Sequence, residues 1–277
     1  MRIHHLNCGS MCPYGGRFVG GVSGRAEVVC HTLLVEGSDS LVLVDTGLGT
    51  DDMQHRHRRL GVPFTVGFRV VADLNDTALH QIRALGHDPA DVRHIVVTHL
   101  DLDHAGGLPD FPEAEVHVFE REHEVAMDPS LRDRARYRHY HFDHGPKWAT
   151  HGSGGDDWFG FESTRILPGA EPEILMIPLP GHSRGHTAIA VRDGDGWLLH
   201  CGDAYFNRRE METPPSCPPG LRIFQRVMAA DDAARRRNQE RLRELAGTHG
   251  DEVRLFSAHD HVELKREQER ARPPATA

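Results

Sequence analysis

The chain has 277 residues, enough for one large domain with a real core, or two small halves packed as one. Hydrophobic residues make up 38% and charged residues 26%, and the formal net charge of −9 argues against nucleic acid or an anionic membrane as the main partner. No apolar run reaches the roughly 18 residues that span a bilayer, and residues 1–6 carry no signal-peptide core, so the expectation is a cytoplasmic protein.

Residues 2–7 read as a first strand. The glycine-rich stretch 9–24 reads as a long loop, without the Gly-Lys-Ser/Thr ending of a phosphate-binding loop. Two apolar runs, 27–36 and 40–45, flank Gly37-Ser38-Asp39 and predict a hairpin whose second strand ends in Asp45-Thr46-Gly47. Residues 50–60 predict a helix with a basic face. Residues 61–74 are apolar and irregular, a candidate pocket wall or homodimer contact. Residues 76–85 predict a helix capped by Asp76, with Leu79, Ile82 and Leu85 on its apolar stripe and Gly86 at its end. Strands over 94–98 and 114–119 and helices over 120–127 and 129–138 follow, then a loop rich in His and aromatic residues over 137–148.

The second half has the same rhythm. Residues 174–179 and 187–191 predict strands, Asp193-Gly194-Asp195-Gly196 a hairpin turn, and 197–201 its return strand. A Pro-rich loop (213–220), one long helix (222–246) and a last strand (253–256) complete it. Residues 265–277, charged and then Pro/Ala-rich, predict a fraying tail, leaving 1–264 as a single domain. Two halves of strands then helices predict an α/β protein with two sheets packed face to face and helices outside. The five Cys (8, 12, 30, 201 and 217) are odd in number and scattered, and read as reduced thiols rather than a disulfide framework.

Histidine is over-represented at 22 residues, so position must choose among them. In Thr98-His99-Leu100-Asp101-Leu102-Asp103-His104-Ala105-Gly106-Gly107, four ligand-type residues fall within six positions just after an apolar strand. Three further segments place ligand-type residues after a strand: Pro180-Gly181-His182-Ser183-Arg184-Gly185-His186, Cys201-Gly202-Asp203-Ala204 and Ala258-His259-Asp260. Strand ends on one edge of a sheet lie close in space. His and carboxylate suit zinc, manganese or iron, and a carboxylate such as Asp203 can bridge two ions.

With Leu43-Val44-Asp45-Thr46-Gly47, these five motifs resemble the metallo-β-lactamase superfamily from Asp45 to His259, in order. The resemblance implies an αββα sandwich of two mixed β-sheets flanked by helices. It places one metal on His99 and His182 and a second on Asp103, His104 and His259, with Asp203 bridging. Asp45, and His186 on the strand side of Gly185, would stand behind the ligands rather than touch metal. The family pattern is His-x-His-x-Asp-His, and here its second His is Asp101. Asp101 is taken as a further ligand of the first ion, and three outcomes stay open there: zinc bound through Asp101, a preference for iron or manganese, or a weak or empty site.

The expected activity is hydrolysis, in which a metal-held hydroxide attacks an ester, lactone or thioester carbonyl of a small-molecule substrate, with a lactonase-like enzyme favoured. Asp103 or Asp203 would orient the nucleophile and pass its proton to the leaving oxygen. Tyr205 follows Asp203 at the spacing at which lactonases of this superfamily carry a carbonyl-polarising Tyr. His139, His141 and His144 read as surface or loop residues, some of them candidates to face substrate, and Lys147 and Arg184 either as partners of an anionic substrate group or as ordinary solvated charges. Two rivals stand beside this reading: an iron-dependent redox protein, favoured by Asp101, and a binding protein that kept the fold without turnover.

Overall fold

The computed structural model describes residues 2–21, 23–38 and 40–272. Its strands, in chain order, are β1 (Ile3–Met11), β2 (Val28–Glu36), β3 (Leu41–Val44), β4 (Val70–Val71), β5 (Val92–Val96), β6 (Glu115–Phe119), β7 (Lys147–His151), β8 (Asp156–Trp158), β9 (Phe161–Arg165), β10 (Ile174–Pro178), β11 (Thr187–Asp193), β12 (Gly196–His200) and β13 (Val253–Phe256). One sheet runs β4-β1-β2-β3-β5-β6-β7 and the other β13-β12-β11-β10-β9-β8. Both are mixed: β3, β5, β6 and β7 are parallel in the first, and β12 and β13 in the second.

Strands that read as unbroken apolar runs are buried on both faces. Leu33, Val35, Val42, Val44 and Val96 meet Met176, Ile189, Val191, Leu198 and Phe256 between the sheets. Because side chains alternate along a strand, Leu34, Leu43 and Ile95 point the other way. They pack with Ile82 of the helix Ala78–Ala84 and Ala126 of the helix Glu120–Met127. On the far side, Leu175, Ala190 and Leu199 lie with Leu242 and Leu245 of the helix Asp232–Thr248. Each such fully buried side chain stabilises the fold by about 1.5–3 kcal/mol relative to exposure. The layers are helix, sheet, sheet, helix, as the resemblance implied.

Several local expectations are corrected. β1 continues to Met11, through the first part of the predicted glycine-rich loop, and Val22 of that loop lies outside the described residues. The 50–60 helix is two short ones, Thr50–Gln54 and Arg56–Arg59. Thr77, not Asp76, caps the helix Ala78–Ala84, its hydroxyl accepting from His80 N. Residues 129–138 form no α-helix, only a short 3-10 turn at Asp133–Ala135. The 222–246 helix is broken into Pro219–Met228 and Asp232–Thr248, where Asp231 accepts from Ala234 N at 2.9 Å and starts a new helix. Lys265 begins no tail: the helix His261–Arg270 runs through it, with Leu264 and Glu267 buried and Gln268 bonded to the His5 carbonyl at 2.9 Å. Residues 273–277 of that predicted tail lie outside the described residues, as do Met1 of the single domain and Asp39 of the predicted hairpin turn. In 61–74, Val62 and Val66 are exposed on the helix Val62–Gly67, while Phe64 and Phe68 pack inward.

The topology fixes where chemistry can gather. Parallel pairing of β3 with β5, and of β12 with β13, puts their carboxyl ends at a common edge, the usual ligand-binding edge of such sheets. Asp45 follows β3, His99 follows β5, Asp203 follows β12, His259 follows β13, and His182 lies between β10 and β11.

Candidate metal centre

His99, His104, His182, His259, Asp101 and Asp203 are all buried at that edge, and Asp103 is only partly exposed. Asp203 stands in the middle. Its Oδ1 lies 3.1 Å from His104 Nε2 and 3.0 Å from His259 Nε2. Its Oδ2 lies 3.3 Å from His182 Nε2 and 3.9 Å from His99 Nε2. The ligand atoms thus fall into two groups sharing one carboxylate: His104, Asp203 and His259, and His99, Asp101, His182 and Asp203. Asp103 approaches His259 Nε2 at 3.7 Å.

Ring orientation is set from outside the cluster. His104 Nδ1 donates to Asp45 Oδ2 at 2.8 Å, His259 Nδ1 to the Val29 carbonyl at 2.7 Å, and His99 Nδ1 to Thr98 Oγ1 at 3.0 Å. Each Nδ1–H fixes the tautomer and leaves Nε2 as a lone pair aimed inward. His99 Nε2, His104 Nε2 and Asp203 Oδ1 have no hydrogen-bond partner among the described residues. Buried acceptors left this way are costly unless a cation satisfies them.

Asp45 also accepts from Thr98 N (2.7 Å) and Thr98 Oγ1 (2.8 Å), so one carboxylate holds the start of the ligand loop and the ring of His104. His186 accepts from Asp203 N at 2.9 Å through Nε2 and donates to the Leu179 carbonyl through Nδ1. Both of its ring nitrogens are thereby engaged within the protein. Gly202 is needed just before Asp203: its φ is +50°, and a Cβ there would lie 2.6 Å from His186 Nε2.

The electrostatics follow this geometry. Burial pushes the Asp203 carboxyl up, but His259, His104 and His182 outweigh it and hold it well below the usual range. Burial disfavours a charged His104, but Asp203 and Asp45 push its pKa well up. The same negative field would draw in a metal cation.

The second group is built differently. Arg136 clasps Asp101 with two bonds of 2.7 Å, Nε to Oδ1 and Nη2 to Oδ2. The same Nη2 donates to His182 Nε2 at 2.6 Å, and Nη1 donates to the carbonyls of His182 (2.8 Å) and Met228 (3.2 Å). Burial opposes the charge on Asp101, but Arg136 and His99 hold its carboxyl well below the usual range. Burial and the Arg136 charge lower His182 to about 4. So His104, Asp203 and His259, with Asp103 beside them, fit a metal ion, whereas Asp101 and His182 are already bonded to a guanidinium.

Tyr205 is not brought to this cluster. It is fully buried in the core behind the second sheet, its hydroxyl 3.1 Å from both oxygens of Glu263. Its neighbour Phe206 takes the place beside the metal group, stacked on the His259 ring at 4.9 Å. Lys147 pairs with Glu113 at the surface, Arg184 and His139 are exposed, His141 is buried against Asp52, and His144 is no part of the cluster. A cleft reaching His259 is lined by Val19, Val28, Phe206, Leu221 and Arg208, with no residue of 61–74.

Three residues escaped the sequence reading. Arg136 lies in an Arg-rich stretch that nothing ties to residue 101 except the charge Asp101 must have balanced. Cys30 of β2 stands beside Asp103 and His259, and burial pushes its thiol pKa well up. Glu122 is buried and accepts from Leu100 N (3.0 Å), Tyr137 Oη (3.1 Å), Ser183 Oγ (2.6 Å) and Gly185 N (3.1 Å), joining both ligand loops.

Comparison with known proteins gives the family and the fold. A family model described as the metallo-beta-lactamase superfamily matches residues 25–275. A protein of Mycobacterium tuberculosis (strain ATCC 25618 / H37Rv), named as a probable metallo-hydrolase, is 41% identical over 261 residues, 94% of this chain and 80% of that one. The N-acyl homoserine lactonase AttM of Agrobacterium fabrum is 36% identical over 124 residues, 44% of each chain. Among solved structures, a variant of B. thuringiensis AiiA with N-decanoyl-L-homoserine bound at its active site has a TM-score of 0.70. That likeness covers 96% of this chain and 95% of the other at 19% identity, and is one of fold.

Proposed function

The chain belongs to the metallo-beta-lactamase superfamily and is a metallo-hydrolase, and from that premise we propose that it opens lactones, or cleaves related esters and thioesters. The observation that carries this reading is the set of orphaned inward lone pairs on His99, His104 and Asp203, in a cluster whose His259 lines a partly apolar cleft. Named relatives that share the fold act on, or hold, acyl homoserine compounds. A divalent ion held by His104, His259 and Asp203, zinc by the donor set, would supply a water acidic enough to ionise near neutral pH.

The chain's own groups supply the rest. Val19, Val28, Phe206 and Leu221 offer an acyl chain an apolar wall next to His259. Asp203 orients the attacking water through its carboxylate. Asp103, with a side chain 15% exposed, takes the water's proton and returns it to the leaving oxygen as the acyl C–O bond breaks and the new C–O bond forms. The iron-redox alternative rested on Asp101 as an open ligand, and the Arg136 clasp removes that support.

The test is a hydrolysis screen of the zinc-loaded enzyme against acyl lactones, carboxylic esters, thioesters and phosphodiesters, read by pH-stat. Turnover of lactones above the other classes is expected and should vanish in His104→Ala and Asp203→Ala. Phosphodiester cleavage with no carbonyl substrate turned over would refute the reading.

A further inference from the structure

We propose that Arg136 takes the place of the first metal ion, so that the chain holds a single catalytic ion at the His104/Asp203/His259 group. The inference rests on the metal-dependent reading of the site but not on the identity of the substrate.

A guanidinium has five N–H donors. In Arg136 one goes to each Asp101 oxygen, one to His182 Nε2, one to the His182 carbonyl and one to the Met228 carbonyl, so all five are used. Arg136 is itself buried, and no donor is left to reach substrate. It is a positioning residue.

The count also runs from the ligand side. His99, His104 and His259 each have an Nδ1 partner and an inward Nε2 lone pair. His182 is the exception. Its Nδ1 has no partner among the described residues, and its Nε2 accepts from Arg136, with Asp101 Oδ2 also 3.0 Å away. The one Nε2 lone pair of His182 is taken, and the lone pairs left on Asp101 lie beside a guanidinium charge that repels a second cation, so only His99 Nε2 and Asp203 Oδ2 of the first group stand free of Arg136. Two donors fall short of the three protein ligands that a catalytic zinc site ordinarily requires. The other group keeps His104, His259 and Asp203, with Asp103 alongside.

The exchange is balanced in charge. An Asp in place of a neutral ligand adds a buried negative charge, and a buried carboxylate persists as an ion only when paired. Asp101 and Arg136 therefore form one unit: the carboxylate fixes the guanidinium, and the guanidinium occupies the lone pair of His182.

The experiment is zinc per folded chain, measured by elemental analysis after equilibration with zinc and removal of the loose excess. One zinc per chain is expected for the wild type, and two for Arg136→Met, which releases Asp101 and His182. His182→Ala should keep its one zinc, with affinity changed less than the roughly tenfold that loss of a ligand's supporting partner costs. His259→Ala should lose it. Two zinc ions in the wild type would overturn the inference, as would a folded Arg136→Met that stays at one, or loss of the ion in His182→Ala. If Arg136→Met does not fold, the wild-type count and His182→Ala still decide. A wild type that binds no zinc would instead sink the metal-dependent reading, and a failed lactone screen would leave the count untouched.

Discussion

Asp45→Asn is nearly isosteric, yet it should cost the protein its metal more than its fold. Asp45 Oδ1 accepts from Thr98 N, which can only donate, so the oxygen of an Asn must stay there. The amide nitrogen then falls where Oδ2 stood, facing Thr98 Oγ1 and His104 Nδ1. His104 Nδ1 must turn from donor to acceptor, which moves the ring proton to Nε2. Asp203 Oδ1, 3.1 Å away, is the nearest acceptor for that proton, and the ring's ligand lone pair is gone. Losing a supporting partner of this kind weakens metal binding about 10–100-fold, or ~1.4–2.7 kcal/mol. The Thr98 bonds survive in part, so the metal-free protein should lose only about 1–2 kcal/mol. Chelator competition gives the zinc Kd, and urea unfolding of the metal-free protein gives the stability. An Asn variant with a zinc Kd within a factor of about three of wild type would refute the tautomer argument.

Two further outcomes follow from the surroundings of the site. Gly202→Ala forces a left-handed φ on a residue with a Cβ, 2.6 Å from His186 Nε2 and 3.0 Å from Thr98 Cβ. It should lower stability by about 2–4 kcal/mol and loosen Asp203, and a loss under about 0.5 kcal/mol in a denaturant titration would contradict the close packing. Glu263 is a pH probe. Burial first, then Asp260, pushes its carboxyl from 4.5 up to about 8. Between those values the folded chain binds a proton that the unfolded chain has lost, so stability falls as pH rises through that window. The slope from this group is at most about 1.4 kcal/mol per pH unit. Glu263→Gln keeps an oxygen for Ser257 N and Tyr205 and should flatten that fall. Parallel pH–stability curves for variant and wild type would show that Glu263 is ionised in the fold.

Much of the centre could be read from the chain because its residues sit in a repeated local pattern. Asp45, His99, Asp203 and His259 each come just after a buried apolar run, and strand ends on one edge must meet. The layered sheets were legible for the same reason, since runs such as 41–44 and 253–256 need cover on two faces. What was missed depends on contacts that no local pattern encodes. β7, β8 and β9 are polar, half-exposed strands at the sheet margins, broken by Gly152, Gly154 and Gly155, so neither alternation nor apolar length marks them. The break at Asp231 is masked because Ala229, Ala230, Ala233 and Ala234 suit helix on either side of it. Tyr205 has the right spacing from Asp203, but the chain turns so that Phe206 faces the site and Tyr205 the core. Arg136 shows the limit most clearly. Asp101 announces a missing positive charge, and only the folded chain says which of many arginines supplies it.

Glu122 gives the two ligand loops a shared fate. The amides of Leu100 and Gly185 belong to distant parts of the chain, yet both end on one carboxylate, which also receives Ser183 and Tyr137. Loss of that one carboxylate would strand buried donors on both loops at once. The rim that holds the candidate metal residues is therefore pinned to the helix Glu120–Met127 through one buried side chain.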